Sequence, residues 1–225
     1  MCVTNSYPIE IGDTVERSLI NGDIVAINRQ PTLHRGSMIA CFIKIFDCST
    51  FRLNYSSMIT LNADTDGDEL NMHVPQDLMS RAELVELMLA STNIVCSQNN
   101  KPLIGLSQDS LLGCYKLSKA LITESDLYDL IYKAGCFDNF DDIKPSVLKP
   151  KKLYPGGRVL EFLFKVFDIS IHNYQQKAAG DFLIQDNVVI RGIFNKHSVG
   201  TSDNSLFHQI YLRYGHKKAG KFFII

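Results

Sequence analysis

The chain has 225 residues, enough for one large or two ordinary domains, and its apolar fraction of 45% and charged fraction of 21% are those of a soluble globular protein with a sizeable core. A formal net charge of −1 excludes a strongly cationic protein that holds nucleic acid by charge alone, although a local basic face remains compatible with it. Six cysteines stand with no C-x-x-C pair, and the six histidines form no H-x₃₋₅-H pair, so reduced thiols are expected in place of a disulfide frame or zinc site.

The first third reads as β structure. Asp23 to Asn28 is a short strand candidate, and Ser37 to Phe46 is a longer apolar run with β-branched residues. Thr50 to Asn54 is expected to form another strand, and Ser57 to Leu61 a further one leading into an acidic cluster. From Asp77 the period changes: Leu78, Ala82, Val85 and Leu89 recur at helical steps. Ser97 to Pro102 is a polar loop, followed by a helix over Gln108 to Leu117. Thr123 and Asp126 form a capping box for a helix ending at Ala134, before Gly135. Residues 136 to 157 read as irregular, Arg158 to Val166 fits helix or strand, and Val188 to Asn195 has strand character. Ser202 is expected to cap a last helical stretch, broken at Gly215. The boundary falls near residue 76, where strand gives way to helix. The apolar, abrupt end at Lys221 to Ile225 suggests a piece of a longer protein.

The densest chemistry lies at residues 62 to 68, Asn-Ala-Asp-Thr-Asp-Gly-Asp. In an extended chain Asp64, Asp66 and Asp68 face one side, and Gly67 permits the tight turn that lets their oxygens converge. Three crowded carboxylates repel one another unless a cation sits between them. A solvated Asp/Gly turn is the plain alternative and carries about even weight on composition. A calcium loop is the other rival, but counting from Asp64 the sixth and twelfth positions hold Glu69 and Pro75, where glycine and glutamate are required. What remains is a site with few carboxylates, of the type magnesium prefers, suited to phosphoryl or nucleotidyl transfer.

A second polar cluster runs Arg29-Gln30-Pro31-Thr32-Leu33-His34-Arg35. Arginine in a stiff loop can bind phosphate bidentately or hydrogen-bond a ribose, and a surface turn with acid-paired arginines is the equal alternative. Lys101 in its polar loop and the Lys149 to Lys152 run are most simply solvated, and His73 is expected to be packed or hydrogen-bonded.

Together, N-R-Q-P-T-L-H-R-G-S-M at 28 to 38, F-R-L-N at 51 to 54 and N-A-D-T-D-G-D-E-L-N-M-H-V-P-Q at 62 to 76 resemble the largest subunit of multisubunit DNA-directed RNA polymerases, in its eukaryotic, archaeal or large-DNA-virus form. N-I-V-x-x-Q-x-N-K-P-L-I-G-x-x-Q-D-S-L-L-G from 93 to 113, K-P-K-x-L-Y from 149 to 154 and V-G-T-S-D-N-S-L-F-H from 199 to 208 extend the resemblance over almost the whole chain. It implies an α+β fold: a partial double-psi β-barrel segment over residues 1–76, followed by a mixed helical and β pore domain over 77–225. It implies that Asp64, Asp66 and Asp68 hold a catalytic Mg2+, with a second arriving on the triphosphate. Arg29 and Asn62 would contact the ribose of the incoming nucleotide, and Gln30, His34 and Arg35 would line or brace that site. The implied partners are the other polymerase subunits (the second-largest above all), DNA template, RNA transcript and NTPs, in the nucleus or cytoplasm and with no membrane. Thr65 departs from the family's usual phenylalanine, which predicts altered packing and not loss of metal. The clamp, bridge helix, trigger loop and early barrel strands have no counterpart here, so the chain alone is expected to be catalytically silent. A scaffold fragment that keeps the motifs by descent, and a calcium-binding module, are the alternative readings.

Overall fold

The structure is a computed structural model that describes residues 8–133, 145–177 and 180–223. Strand β1 (Ile24–Asn28) is buried along its whole length, as a central strand must be. It pairs antiparallel with β2 (Met38–Phe42) on one side and with β3 (Asn71–His73) on the other, giving a sheet of order β2-β1-β3. Side chains alternate across β2 and so serve two layers. Met38 and Ala40 pack with Ile24, Ala26 and Leu84 on one face, while Ile39 and Cys41 pack with Met58 and Leu61 on the other. Burial raises the Cys41 thiol to about 11, so it stays protonated at neutral pH.

Two expected strands are not strands. Thr50 to Asn54 forms none, and Ser57 to Leu61 lies inside helix α1 (Tyr55–Leu61). The local β-branched content of S-M-I-T-L was overridden by tertiary packing. Asn54 caps the helix by accepting from Ser56 N–H at 2.9 Å, and Met58 and Leu61, three apart, share the face against Ile39. Thr60 satisfies its buried hydroxyl on the Ser57 carbonyl at 2.8 Å.

The helical period after Asp77 is observed as α2 (Leu78–Glu83), capped by Asp77 and continued by a π-helical turn over Leu84–Met88. This turn lies against β1 and β2, and Ala90 N–H reaches the Ala40 carbonyl at 3.1 Å. Helix α3 (Gln108–Lys119) follows, then β4 (Leu121–Thr123) and α4 (Glu124–Lys133). Thr123 Oγ1 accepts from Asp126 N–H and donates to its carboxylate, which is the expected cap. The predicted stop at Ala134 and Gly135 lies outside the described residues. Strand β5 (Leu153–Pro155) falls within the stretch expected to be irregular and pairs with β4. Arg158 to Val166 resolves as helix α5, because Leu160 and Phe164 face the largest core while Phe162 faces a second cluster with Leu127, Ile131 and Tyr154.

Strands β6 (Asn173–Gln176) and β7 (Phe182–Gln185) were not expected; with β8 (Val188–Arg191) they make a second three-stranded antiparallel sheet. After the short helix α6 (Lys196–Val199), α7 (Leu206–Phe223) closes the main core. It breaks at Gly215, whose φ of 75° is open to glycine at little cost. Its cap is Ser205, which accepts from His208 N–H; Ser202 instead donates to the Lys196 carbonyl. Phe222 stacks on Phe164 with centroids 6.0 Å apart, and full burial of Phe164 contributes about 1.5–3 kcal/mol relative to exposure.

The architecture is thus α+β with small antiparallel sheets. Among the described residues none of these sheets closes into a barrel. No helix of the described residues is long and apolar enough to cross a membrane.

Candidate metal centre

The acidic loop hangs between two fixed points. On its N-terminal side α1 ends at Asn62, an exposed residue in the left-handed conformation (φ 48°) that terminates the helix. On its C-terminal side the chain returns to the sheet as β3, three residues after Asp68. Between them Gly67 adopts φ +108°, the turn that the sequence assigned to glycine. Asp64, Asp66 and Asp68 each bring one carboxylate oxygen within 4.8 Å of the others. Backbone groups hold the arrangement: Asp64 N–H donates to Asp68 Oδ2 at 3.0 Å, and Asp66 N–H reaches Asp64 Oδ1 at 3.4 Å.

Arg29, at the end of β1, crosses to this loop. Its Nε lies 2.8 Å from Asp68 Oδ2 and its Nη2 3.2 Å from Oδ1, a two-point pairing of guanidinium and carboxylate. The cluster consequently has an uneven charge distribution. The Arg29 hydrogen bond, helped by the Asp64 amide, holds the Asp68 carboxyl below its ordinary range. Hydrogen bonding to Asp64 and the charges of Asp64 and Asp68 hold Asp66 above it. Such mutual repulsion among hard oxygen donors is what a divalent cation relieves, so the donor set fits magnesium. Asp68 retains lone pairs for this beyond the two oxygens' bonds to Arg29 and Asp64.

The remaining residues of the first polar cluster diverge. Asn28 is buried and ties the loop back, its amide donating to Thr32 Oγ1 at 2.6 Å and to the Ser37 carbonyl at 3.0 Å. Gln30 is exposed. His34 accepts from Gly36 N–H through Nδ1, and Arg35 donates to the Leu87 carbonyl at 2.8 Å, bracing the π-helical turn. His73 sits in β3 opposite Ala26. Lys101 pairs with Asp203 at 3.2 Å, and Lys152 with Glu124 at 3.6 Å.

Two features escaped the sequence reading. A cavity of about 700 Å³ opens beside the loop, lined by Asp64, Thr65, Gly67 and Asp68 and also by Phe51, Arg52 and Asn71. The F-R-L-N string was the signal that could have pointed there. The second is a backbone crossing between distant motifs: a Cβ on Gly105 would stand 2.8 Å from the Gly200 carbonyl carbon and 2.9 Å from Thr201 N.

Comparison with known proteins gives two family matches in chain order. Residues 3–90 match the family described as RNA polymerase Rpb1, domain 2, and residues 93–224 match RNA polymerase Rpb1, domain 3. DNA-directed RNA polymerase II subunits RPB1-A and RPB1-B of Trypanosoma brucei brucei are each 38% identical to the chain over 221 residues. That alignment takes in 95% of this chain and 12% of each relative, so the chain spans about an eighth of the length of the relatives it matches.

Proposed function

The chain belongs to the family of RNA polymerase largest subunits, through Rpb1 domains 2 and 3, and from that premise we propose that it carries the metal-binding part of a DNA-directed RNA polymerase active site. The reaction is template-directed nucleotidyl transfer from NTPs to an RNA 3′ end. The observation that carries the reading is the convergence of Asp64, Asp66 and Asp68 within 4.8 Å, braced by Arg29 from 39 residues away. Either cluster alone is compatible with a surface turn. Their pairing across the sheet is not expected of two unrelated turns.

In this reading Asp64, Asp66 and Asp68 hold Mg2+, which supplies charge neutralisation at the attacked phosphate and activation of the RNA 3′-hydroxyl. Arg29, Gln30 and Asn62 bind the incoming nucleotide. Arg29 holds the Asp68 carboxylate in one orientation, and its remaining N–H groups are available to a ribose hydroxyl. Asn62 sits at a helix end whose left-handed geometry aims the chain into the loop. A deoxynucleotide leaves such donors unpaired, which is how hydrogen-bonding sites discriminate. Residues 1–76 form the barrel segment, a partial double-psi barrel completed by other parts of the polymerase. Residues 77–225 form the pore domain. The second-largest subunit, template and transcript complete the active site from outside this chain.

The test is replacement of Asp66 by Ala in the assembled polymerase. Loss of RNA synthesis with unchanged subunit assembly is the expected outcome; near wild-type elongation would sink the assignment.

A further inference from the structure

The cavity beside the carboxylate loop is lined by a positive charge that, among the described residues, no acid has claimed. Arg52 is exposed and lines the same cavity as Asp64 and Asp68. Among the described residues Arg52 has no acidic partner and no hydrogen bond. The nearby arginines are engaged: Arg29 by Asp68, and Arg35 by the Leu87 carbonyl.

The position of Arg52 is set by its neighbours. Leu53 packs against the Ile39, Met58 and Leu61 cluster, and Asn54 caps α1. Helix α1 then runs seven residues to the acidic loop, a span of about 10 Å. The backbone at residue 52 and the backbone of the acidic loop therefore flank one packed helix.

Electrostatics then narrows what the cavity takes. Three carboxylates repel an anion, and an unpaired guanidinium repels a bare cation. A ligand satisfying both carries a cation and an anion together, as a metal-bound phosphate does. Guanidinium recognises phosphate oxygens through its planar fork of donors. We infer that Arg52 binds phosphate oxygens of the group handled at the carboxylate site, a role that rests on the nucleotidyl-transfer reading above. The phosphate belongs either to the triphosphate of the incoming nucleotide or to the backbone of the transcript.

The experiment uses assembled polymerase with Arg52→Ala, Arg52→Lys and Arg52→Gln. It measures KM and kcat for single-nucleotide addition, and the lifetime of the stalled transcript complex against salt. Loss of one charged hydrogen-bonding group changes affinity roughly ten- to a hundredfold. Arg52→Ala raising the KM for NTP by that factor, with kcat within a few-fold, assigns the triphosphate. An unchanged KM with a correspondingly shorter complex lifetime assigns the transcript. In both cases Arg52→Lys recovers part of the loss, since it keeps charge without the fork. Wild-type KM and lifetime in Arg52→Ala overturn the inference, as does full recovery in Arg52→Gln, which keeps length and polarity without charge. If the Ala variant does not assemble, the Gln variant decides on the same two readouts. Asp66→Ala run alongside separates the two ideas. Active Asp66→Ala removes the site reading itself, whereas inactive Asp66→Ala with wild-type Arg52 variants removes only the role of Arg52.

Discussion

Gly156 offers the sharpest test of the packing described above. It stands where β5 turns into α5, beneath the end of α3, and its N–H donates to the Ala120 carbonyl at 3.0 Å. A Cβ at this position would fall 1.9 Å from the Leu117 carbonyl oxygen and 2.7 Å from its carbon. Both are backbone atoms, so no side-chain rotation relieves the overlap. Restoring ordinary contact demands a shift of about 1.3–1.5 Å between the end of α3 and the start of α5. A shift of that size also strains the Gly156–Ala120 hydrogen bond and the adjoining β4–β5 register at Leu121 and Pro155. Overpacking costs about 1–3 kcal/mol and the bond about 1 kcal/mol more. Gly156→Ala is therefore expected to destabilise the chain by roughly 2–4 kcal/mol, which lowers Tm by roughly 5–15 °C at this size. Gly113→Ala is the matched control. Gly113 lies inside α3 with nothing within 4 Å of the added carbon, so the same substitution should stabilise by up to about 1 kcal/mol through helix propensity. Thermal unfolding followed by circular dichroism measures both. Equal melting of Gly156→Ala and wild type would show that the α3–α5 contact is not as close as described.

Two pH-dependent outcomes follow from the carboxylates. Asp23 is buried and accepts from both terminal nitrogens of Arg17, at 2.7 and 2.8 Å, and from Ile20 N–H at 3.0 Å. The Arg17 hydrogen bond and then the Ile20 amide hold its carboxyl far below the ordinary range. Its stabilising contribution is thus complete above the unfolded value near ~4 and is lost as pH falls below it. Asp23→Asn should lower Tm at pH 7 and flatten its acid limb; a parallel-shifted Tm profile would contradict this. At the candidate metal centre the raised Asp66 carboxyl keeps its proton to higher pH than an ordinary aspartate. Cation binding must displace that proton, so affinity for Mg2+ should weaken as pH falls toward and through the ordinary carboxylate range. Calorimetry in two buffers of different protonation enthalpy reads the released proton. No buffer dependence at mildly acidic pH would count against Asp66 as a ligand.

Much of the chain's organisation was readable from local pattern. β1, α2, α3 and the kinked α7 follow hydrophobic period and glycine placement, which act over a few residues. Ser57 to Leu61 was misread because its β-branched residues favour a strand locally. The packing of Met58 and Leu61 on Ile39, together with the Asn54 cap, made it helix. β6 gives no apolar alternation because three of its four residues are polar, and the apolar run of β7 is only Phe182 to Ile184, too short to signal a strand. Tyr174, Phe182 and Ile184 are buried in the main core that α7 closes.

The sequence by itself determined the candidate donors: three carboxylates at alternate positions, a glycine that can take φ +108°, and a string of motifs in family order. These depend on residue type and near neighbours alone. Only the tertiary structure decided that Arg29 reaches Asp68, that Arg35 turns away to Leu87, and that Arg52 opens onto the same cavity as the aspartates. Those outcomes depend on how β1, β2 and the ends of α1 are packed together, because a hydrogen-bonded ion pair needs its nitrogen and oxygen within about 4 Å. Spacing along the chain carries no such information.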